Sequence, residues 1–421
     1  MNHRGIAMLW ARKSKLAKNA EPSPLMIGLD LNSSRAAAVE GLGQATPRVL
    51  PLDQEHNELA LVLNLGGRQP LIGREAAAFC RSSPHLICQD FLASLGDPKE
   101  WTAGRHHFDA SRALAVVVGH LKACCTHGRG LMLTLPSYLS RQQVALLTPM
   151  FEKAGLPLLG TLKSPLALGL AAHALSPWQG SALMIDVDDH SLSAAGVVAD
   201  GDQLWVQKIE HWPKLNLRAW KMRLLDAVAD RCIRQSRRDP RDCPAAEQSL
   251  YDQIEPALVR AREGKIVELL VQTDSWYQNL LLPAKELIGF SSKLVAQTVD
   301  LLRIFDSPRR VVLSGPAARL PGLLDALQTS FDRETAGEAL PISSDDFGEA
   351  LLPSGAEPAL VTHLADNAAA CAAHQTALRI HGGEIPRSHF ESSILLPKSE
   401  GLPDQTAAGQ RVRLYSAEPD R

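Results

Sequence analysis

An apolar run that closes on an aspartate and breaks into a short polar turn occurs twice in this chain, each time at the head of the same strand-like series. From Leu25 to about Leu52, apolar runs are broken by Asn32-Ser33-Ser34 and by Gly41-Leu42-Gly43, which reads as strand, tight turn, strand, turn, strand. From Ser181 the cycle repeats: a strand over 181–187, a turn, a strand over 192–199, Gly201, and a strand over 203–209. The echo suggests duplicated lobes. It is not the short-period repeat of a solenoid.

The stretches between and after these cycles read as further short strands and amphipathic helices. Leu59 to Leu65 and Leu71-Ile72-Gly73 have strand character, and Arg74 to Cys80 starts a helix. Residues 109–127 carry Leu114, Val117, Val118 and Leu121 at helical steps, with Gly128 and Gly130 ending the pattern before a buried-type strand over 131–135. Arg141 to Ala154 is the next helix, and Pro165 to Ala174 a small-residue helix opened by proline. Helices over 216–235 and 247–263, strands over 266–272 and 279–282, and a helix over 284–304 follow. Val311 to Leu313 is a strand feeding Gly315 and a helix from about Pro321, and an alanine-rich helix covers Asp366 to Ile380.

Composition narrows the class. With 421 residues there is volume for two or three lobes, and 45% hydrophobic with 21% charged residues describes an ordinary soluble globular chain. A net charge of −2 gives no field that draws nucleic acid. Seven cysteines without a C-x-x-C pair or zinc spacing suit a reducing cytoplasm, which is the expected location. Ahead of Leu25, Arg4, Arg12, Lys13, Lys15 and Lys18 precede the first acidic residue. The leader 1–24 reads either as a solvated flexible arm or as a basic amphipathic arm for peripheral contact with an anionic membrane. The arginine cluster from Arg231 to Arg241 is interleaved with Asp230 and Asp239 and reads as solvated surface, with no specific nucleic-acid partner.

Four segments stand in the order of a split nucleotide site: Ile27-Gly28-Leu29-Asp30-Leu31-Asn32-Ser33-Ser34, Leu133-Thr134-Leu135-Pro136-Ser137-Tyr138, Leu183-Met184-Ile185-Asp186-Val187-Asp188-Asp189 and Val311-Val312-Leu313-Ser314-Gly315-Pro316. In this order they resemble the nucleotide-binding domain of DnaK-type heat-shock chaperones (the 70 kDa class), of the actin-like ATPase superfamily. The resemblance spans about residues 25 to 380. It implies an α/β fold of two ribonuclease-H-like lobes, 25–174 and 175–380, each a mixed sheet flanked by helices. Beyond that span the chain turns polar and rich in Pro, Gly and Ser, and its composition reads as a disordered tail over 381–421. The resemblance also implies ATP or ADP and Mg²⁺ in the cleft between the lobes.

The resemblance assigns roles to particular residues. Asp30 and Asp186 fall on the metal-orienting carboxylates, and the hydroxyls of Ser33 and Ser34 replace two phosphate-holding threonines, while Asn32 replaces a glycine. Gly315 and Arg319, within Ser314-Gly315-Pro316-Ala317-Ala318-Arg319, fall on the adenosine-binding turn, where the arginine stacks its flat guanidinium on adenine. Lys265 falls where a ribose-contacting lysine stands, although the neighbouring family glutamate has become Arg262.

Other positions depart from the family. Its phosphate-positioning lysine falls on Ala77, and Arg74 is expected on a different helix face. Its metal-arranging glutamate falls on Ser164. Its D-L-G-G-G-T-x-D falls on Asp186 to Ser193, so Asp188 and Asp189 place carboxylates where a polyanion sits, and two like charges repel by about 1 kcal/mol at about 4 Å in water and by more in a dry cleft. A competing reading lets Asp186, Asp188, Asp189 and His190 recruit a cation that bridges to phosphate.

These losses all concern phosphate or metal, so the expected function is a chaperone-like module with weak or non-hydrolysing binding of adenine nucleotide. Such a module regulates or engages a protein partner of unknown identity. The alternatives are an ATPase of altered chemistry served by a separate substrate-binding partner, and an assembly scaffold like the pilus or cell-division members of the superfamily. The 41 residues after Ile380 are too few for a peptide-binding β-sandwich and lid, so chaperone action is expected to need help in trans.

Overall fold

The structure, a computed structural model, describes residues 25–43, 46–125, 128–273, 275–305, 308–335 and 360–397. The leader 1–24 and residues 398–421 of the tail lie outside the described residues.

Two large mixed sheets, flanked by helices, organise the chain, and they share one plan. In the first, the strand Leu25–Leu31 is bordered on one side by parallel Gly130–Leu135 and then Leu158–Lys163. On its other side lie antiparallel Arg35–Leu42 and then Arg48–Leu50. In the second, Gly180–Val187 takes the central place, with parallel Arg310–Leu313 and Leu360–His363 on one side. Antiparallel Leu192–Asp200 and Gln203–Trp212 stand on the other. The two aspartate-ending runs are therefore the equivalent strands of the two sheets, and their turns leave from equivalent ends.

Both central strands are largely apolar, the first buried over all but its opening residue and the second buried through its middle, as expected for strands covered on two faces. Between the sheets lies a core of Met26, Met132, Leu166, Met184, Val197, Val312 and Ala373, built around the helices Ser164–Leu175 and Ala368–His381. The second of these approaches the first sheet so closely that a Cβ on Gly28 would stand 1.9 Å from the Ala370 carbonyl oxygen. Only alanine-sized helix residues opposite a glycine permit that distance. The outer face of the first sheet is covered by the helices Ala110–Cys124 and Arg141–Lys153, and that of the second by Leu217–Ser236, Ala284–Leu302 and Leu323–Thr335.

Local signals start these helices where the sequence places them. Asp109 accepts from the Arg112 N–H, Ser140 and Gln143 form a reciprocal capping box, and Asn216 accepts from the Ala219 N–H. Each half also carries a smaller piece. In the first, a three-stranded sheet of Val62–Asn64, Leu71–Ile72 and Ile87–Gln89 supports the short helix Arg74–Ala77. In the second, the hairpin Val267–Gln272 and Tyr277–Leu282 packs against the helix Pro244–Arg262. These two pieces face each other across a cleft.

The stretch after His381 differs from the disordered tail that its polarity implies. His389–Phe390 pairs with Leu158–Lys163 in the first sheet, and Ser393–Leu395 pairs with Gln203–Trp212 in the second. The Ser388 carbonyl lies where a Cβ on Gly160 would meet it at 2.0 Å, and the Arg379 guanidinium donates to the Leu395 and Leu396 carbonyls. Backbone pairing and a buried arginine, both long-range, override the local composition. Among the described residues no helix is long and apolar enough to cross a membrane, and all seven cysteines are free.

Candidate functional site

The turn Asn32–Ser34 and the turn Asp188–Ser191 meet at the base of the cleft, and they bond to each other. The Ser33 N–H donates to Asp188 Oδ2 at 2.9 Å, and the Asp189 N–H donates to Ser34 Oγ at 2.7 Å. Tyr138 joins them from the strand end beyond Leu135, its phenol donating to Asp188 Oδ2 at 2.6 Å. With that proton engaged, the Ser33 hydroxyl, 2.8 Å away, donates to the phenol oxygen.

The remaining turn amides are equally committed. Asn32 Oδ1 accepts from the N–H groups of Ser34 at 2.9 Å and Arg35 at 3.0 Å. Asp188 Oδ1 accepts from those of His190 and Ser191, each at 2.9 Å, while the Asp188 N–H donates to the Ser191 carbonyl. Every N–H from Ser33 to Arg35 and from Asp188 to Ser191 thus ends on an oxygen of the chain itself. Asp188 is 4% exposed and accepts four hydrogen bonds, a number that satisfies a buried carboxylate.

The carboxylates of Asp30, Asp186 and Asp188 lie close enough to act on one another. Burial pushes Asp30 up to about 7, with Arg35 opposing and Asp186 and Asp188 adding to the rise. Asp188 is pushed up to about 6 by burial, against the hydrogen bonds it accepts. Asp186 is also raised by burial, with the Ser314 hydroxyl, the Val187 N–H and Ser164 drawing it back. On the flank, His190 packs its ring on Tyr138 at 4.6 Å and approaches Asp90 through Nδ1 at 3.4 Å, a bond that holds the imidazole above its ordinary value.

Above the turns lies a cavity of about 350 Å³ lined from both halves. Ser33, Ser34, Arg35, Arg74 and Ala77 line it from the first, and Asp189, Lys221, Glu255, Pro316 and Arg319 from the second. Most of its cations are already held. Arg35 pairs with Glu58 and donates to the Asp366 carbonyl, Arg319 pairs with Asp366 at 2.9 Å, and Lys221 pairs with Glu255 at 2.7 Å.

The mouth is bridged as well. Gln248 Oε1 accepts from the Arg81 N–H at 2.6 Å, and Gln248 Nε2 donates to the Ala77 carbonyl at 3.1 Å. Arg81 Nε donates to Glu247 at 3.0 Å.

The positions singled out in the sequence distribute unevenly over this geometry. Asp30, Ser33, Ser34 and Asp186 converge at the base, and Arg319 stands on the cavity wall. Gly315 is buried beside Asp366, where a Cβ would meet Oδ1 at 2.0 Å. Lys265 is elsewhere: it is 67% exposed, pairs with Glu263 in the turn after the helix Pro244–Arg262, and is not a lining residue. Arg74, expected on a different face from Ala77, lines the same cavity. The roles of Tyr138, Arg35, Lys221 and Gln248 at this site carry no local sequence signal, because their partners lie far away in the chain.

The resemblance implies an adenine nucleotide with Mg²⁺ in this cavity. A β- or γ-phosphate needs uncommitted N–H donors and compensating cations. Here the turn donors are spent on Asp188, Asn32 and Ser34, and the wall carries Ala77 where the resemblance implies a lysine, with Arg74 beside it. The turns do not fit a phosphate. Among the described residues no three His, Cys, Asp or Glu side chains are arranged to hold a metal ion. No family model matches this chain, and no curated protein matches its sequence.

Proposed function

We propose that this chain is an actin-like, DnaK-type nucleotide domain that does not hydrolyse nucleotide and acts by engaging other proteins. One observation carries the reading: the two turns that the resemblance assigns to phosphate are bonded to each other through Ser33–Asp188 and Asp189–Ser34. The repeated sheet plan supports the superfamily, and the cavity wall with Arg319 supports at most a weak adenine-nucleotide contact. Phosphoryl transfer rests on positioned charge at the transferred group, and the site supplies carboxylates there.

Calorimetry with ATP and with ADP, with and without Mg²⁺, paired with a phosphate-release assay, tests this reading. The expected result is no turnover and, at most, millimolar binding that Arg319→Ala removes. Sustained phosphate release by the purified chain would replace the reading with the altered-chemistry ATPase.

A further inference from the structure

We infer that Asp188 is a resident anion, a carboxylate that takes the place of a nucleotide phosphate and closes the cleft without any ligand. The inference rests on the assignment of the two turns as phosphate turns. A phosphate between two such turns receives N–H donors from both sides and so draws the halves together. Asp188 receives the Ser33 N–H and the Tyr138 phenol from the first half, and the His190 and Ser191 N–H groups from its own turn.

Two side chains complete the substitution. Asn32, standing where the family has glycine, absorbs the Ser34 and Arg35 amides. The Ser34 hydroxyl absorbs the Asp189 amide. Gln248 and Glu247 then bridge to Arg81 at the mouth. The closed arrangement is therefore built into the sequence, and Asp188 determines specificity by excluding phosphate ligands.

The test compares wild type with Asp188→Gly in the full chain, with no ligand and then with Mg²⁺-ATP and with inorganic pyrophosphate. Amide exchange at Ser33 is expected to be slow in ligand-free wild type and at least about tenfold faster in Asp188→Gly. Asp188→Gly is also expected to bind pyrophosphate and ATP at least about tenfold more tightly than wild type, since it frees donors and removes a repelling charge. Unchanged Ser33 exchange, or unchanged anion affinity, in a folded Asp188→Gly would overturn the inference.

Should that variant fail to fold, Ser34→Ala serves. It must speed exchange at Asp189 by about tenfold, and unchanged exchange there refutes the inference. The two readings fail separately. ATP turnover by wild type defeats the proposed function, whereas a non-hydrolysing wild type with fast Ser33 exchange defeats only the resident anion.

Discussion

The phenol of Tyr138 donates to Asp188 Oδ2 at 2.6 Å, joining a residue just beyond a strand of the first sheet to the turn between two strands of the second. It is a charge-assisted bond inside a buried site, so its loss is felt by both halves. Tyr138→Phe keeps the ring against His190 and removes only the hydroxyl. A loss of about 1.5–3 kcal/mol in unfolding free energy is expected by denaturant titration. A change below about 0.5 kcal/mol would mean that water serves Asp188 equally well.

Asp30 gives the protein a pH dependence of definite sign. Its carboxyl is held at about 7 in the fold, against 3.8 for the free group, mainly by burial. The folded state therefore binds this proton more tightly than the unfolded chain does. The stabilisation is complete below pH about 4 and is lost as the pH rises through about 7. Asp188, raised to about 6, acts in the same direction. The denaturation midpoint of wild type should fall between pH 5 and pH 8, and Asp30→Asn should flatten that fall. Identical slopes for the two proteins would refute the assignment.

Gln248 is 6% exposed and holds the mouth through both its oxygen and its nitrogen. Gln248→Ala leaves the Arg81 N–H and the Ala77 carbonyl without these partners. Exchange at the Arg81 amide should rise by at least about tenfold, with a stability loss of about 1–3 kcal/mol. Protection at Ser33, deeper in the cleft, should persist, because it depends on Asp188. Simultaneous loss at both amides would show that mouth and base open as one unit.

Gly28 tests the packing that brings the two sheets together. An added methyl at this position would meet the Ala370 carbonyl and the backbone of His374, none of which can move without displacing a whole helix. Gly28→Ala should lower stability by about 3 kcal/mol or more, or prevent soluble expression. Gly119→Ala is the control, since nothing lies within 4 Å of a Cβ there. Equal stability of the two variants would contradict the close approach.

Sequence alone determined those parts of the protein that depend on neighbours along the chain. The strand cycles at 25 and 181 follow from apolar runs and turn residues, and the helix starts at Asp109, Ser140 and Asn216 from caps within three residues. The chemical departures from the resembling family at Ala77, Ser164 and Asp188 were equally legible, because residue type alone states whether a side chain is a cation or an acid. Tertiary structure alone decided what those departures do. Ser33 finds Asp188 and Asp189 finds Ser34 across 155 residues each, and Lys265 lies outside the cavity that Arg74 enters. Likewise, a polar stretch after His381 becomes a strand in each sheet, since an open sheet edge offers hydrogen bonds that composition does not register. Hydrogen-bond partners at this distance are chosen by packing, which sets which donors are buried together and so must satisfy one another.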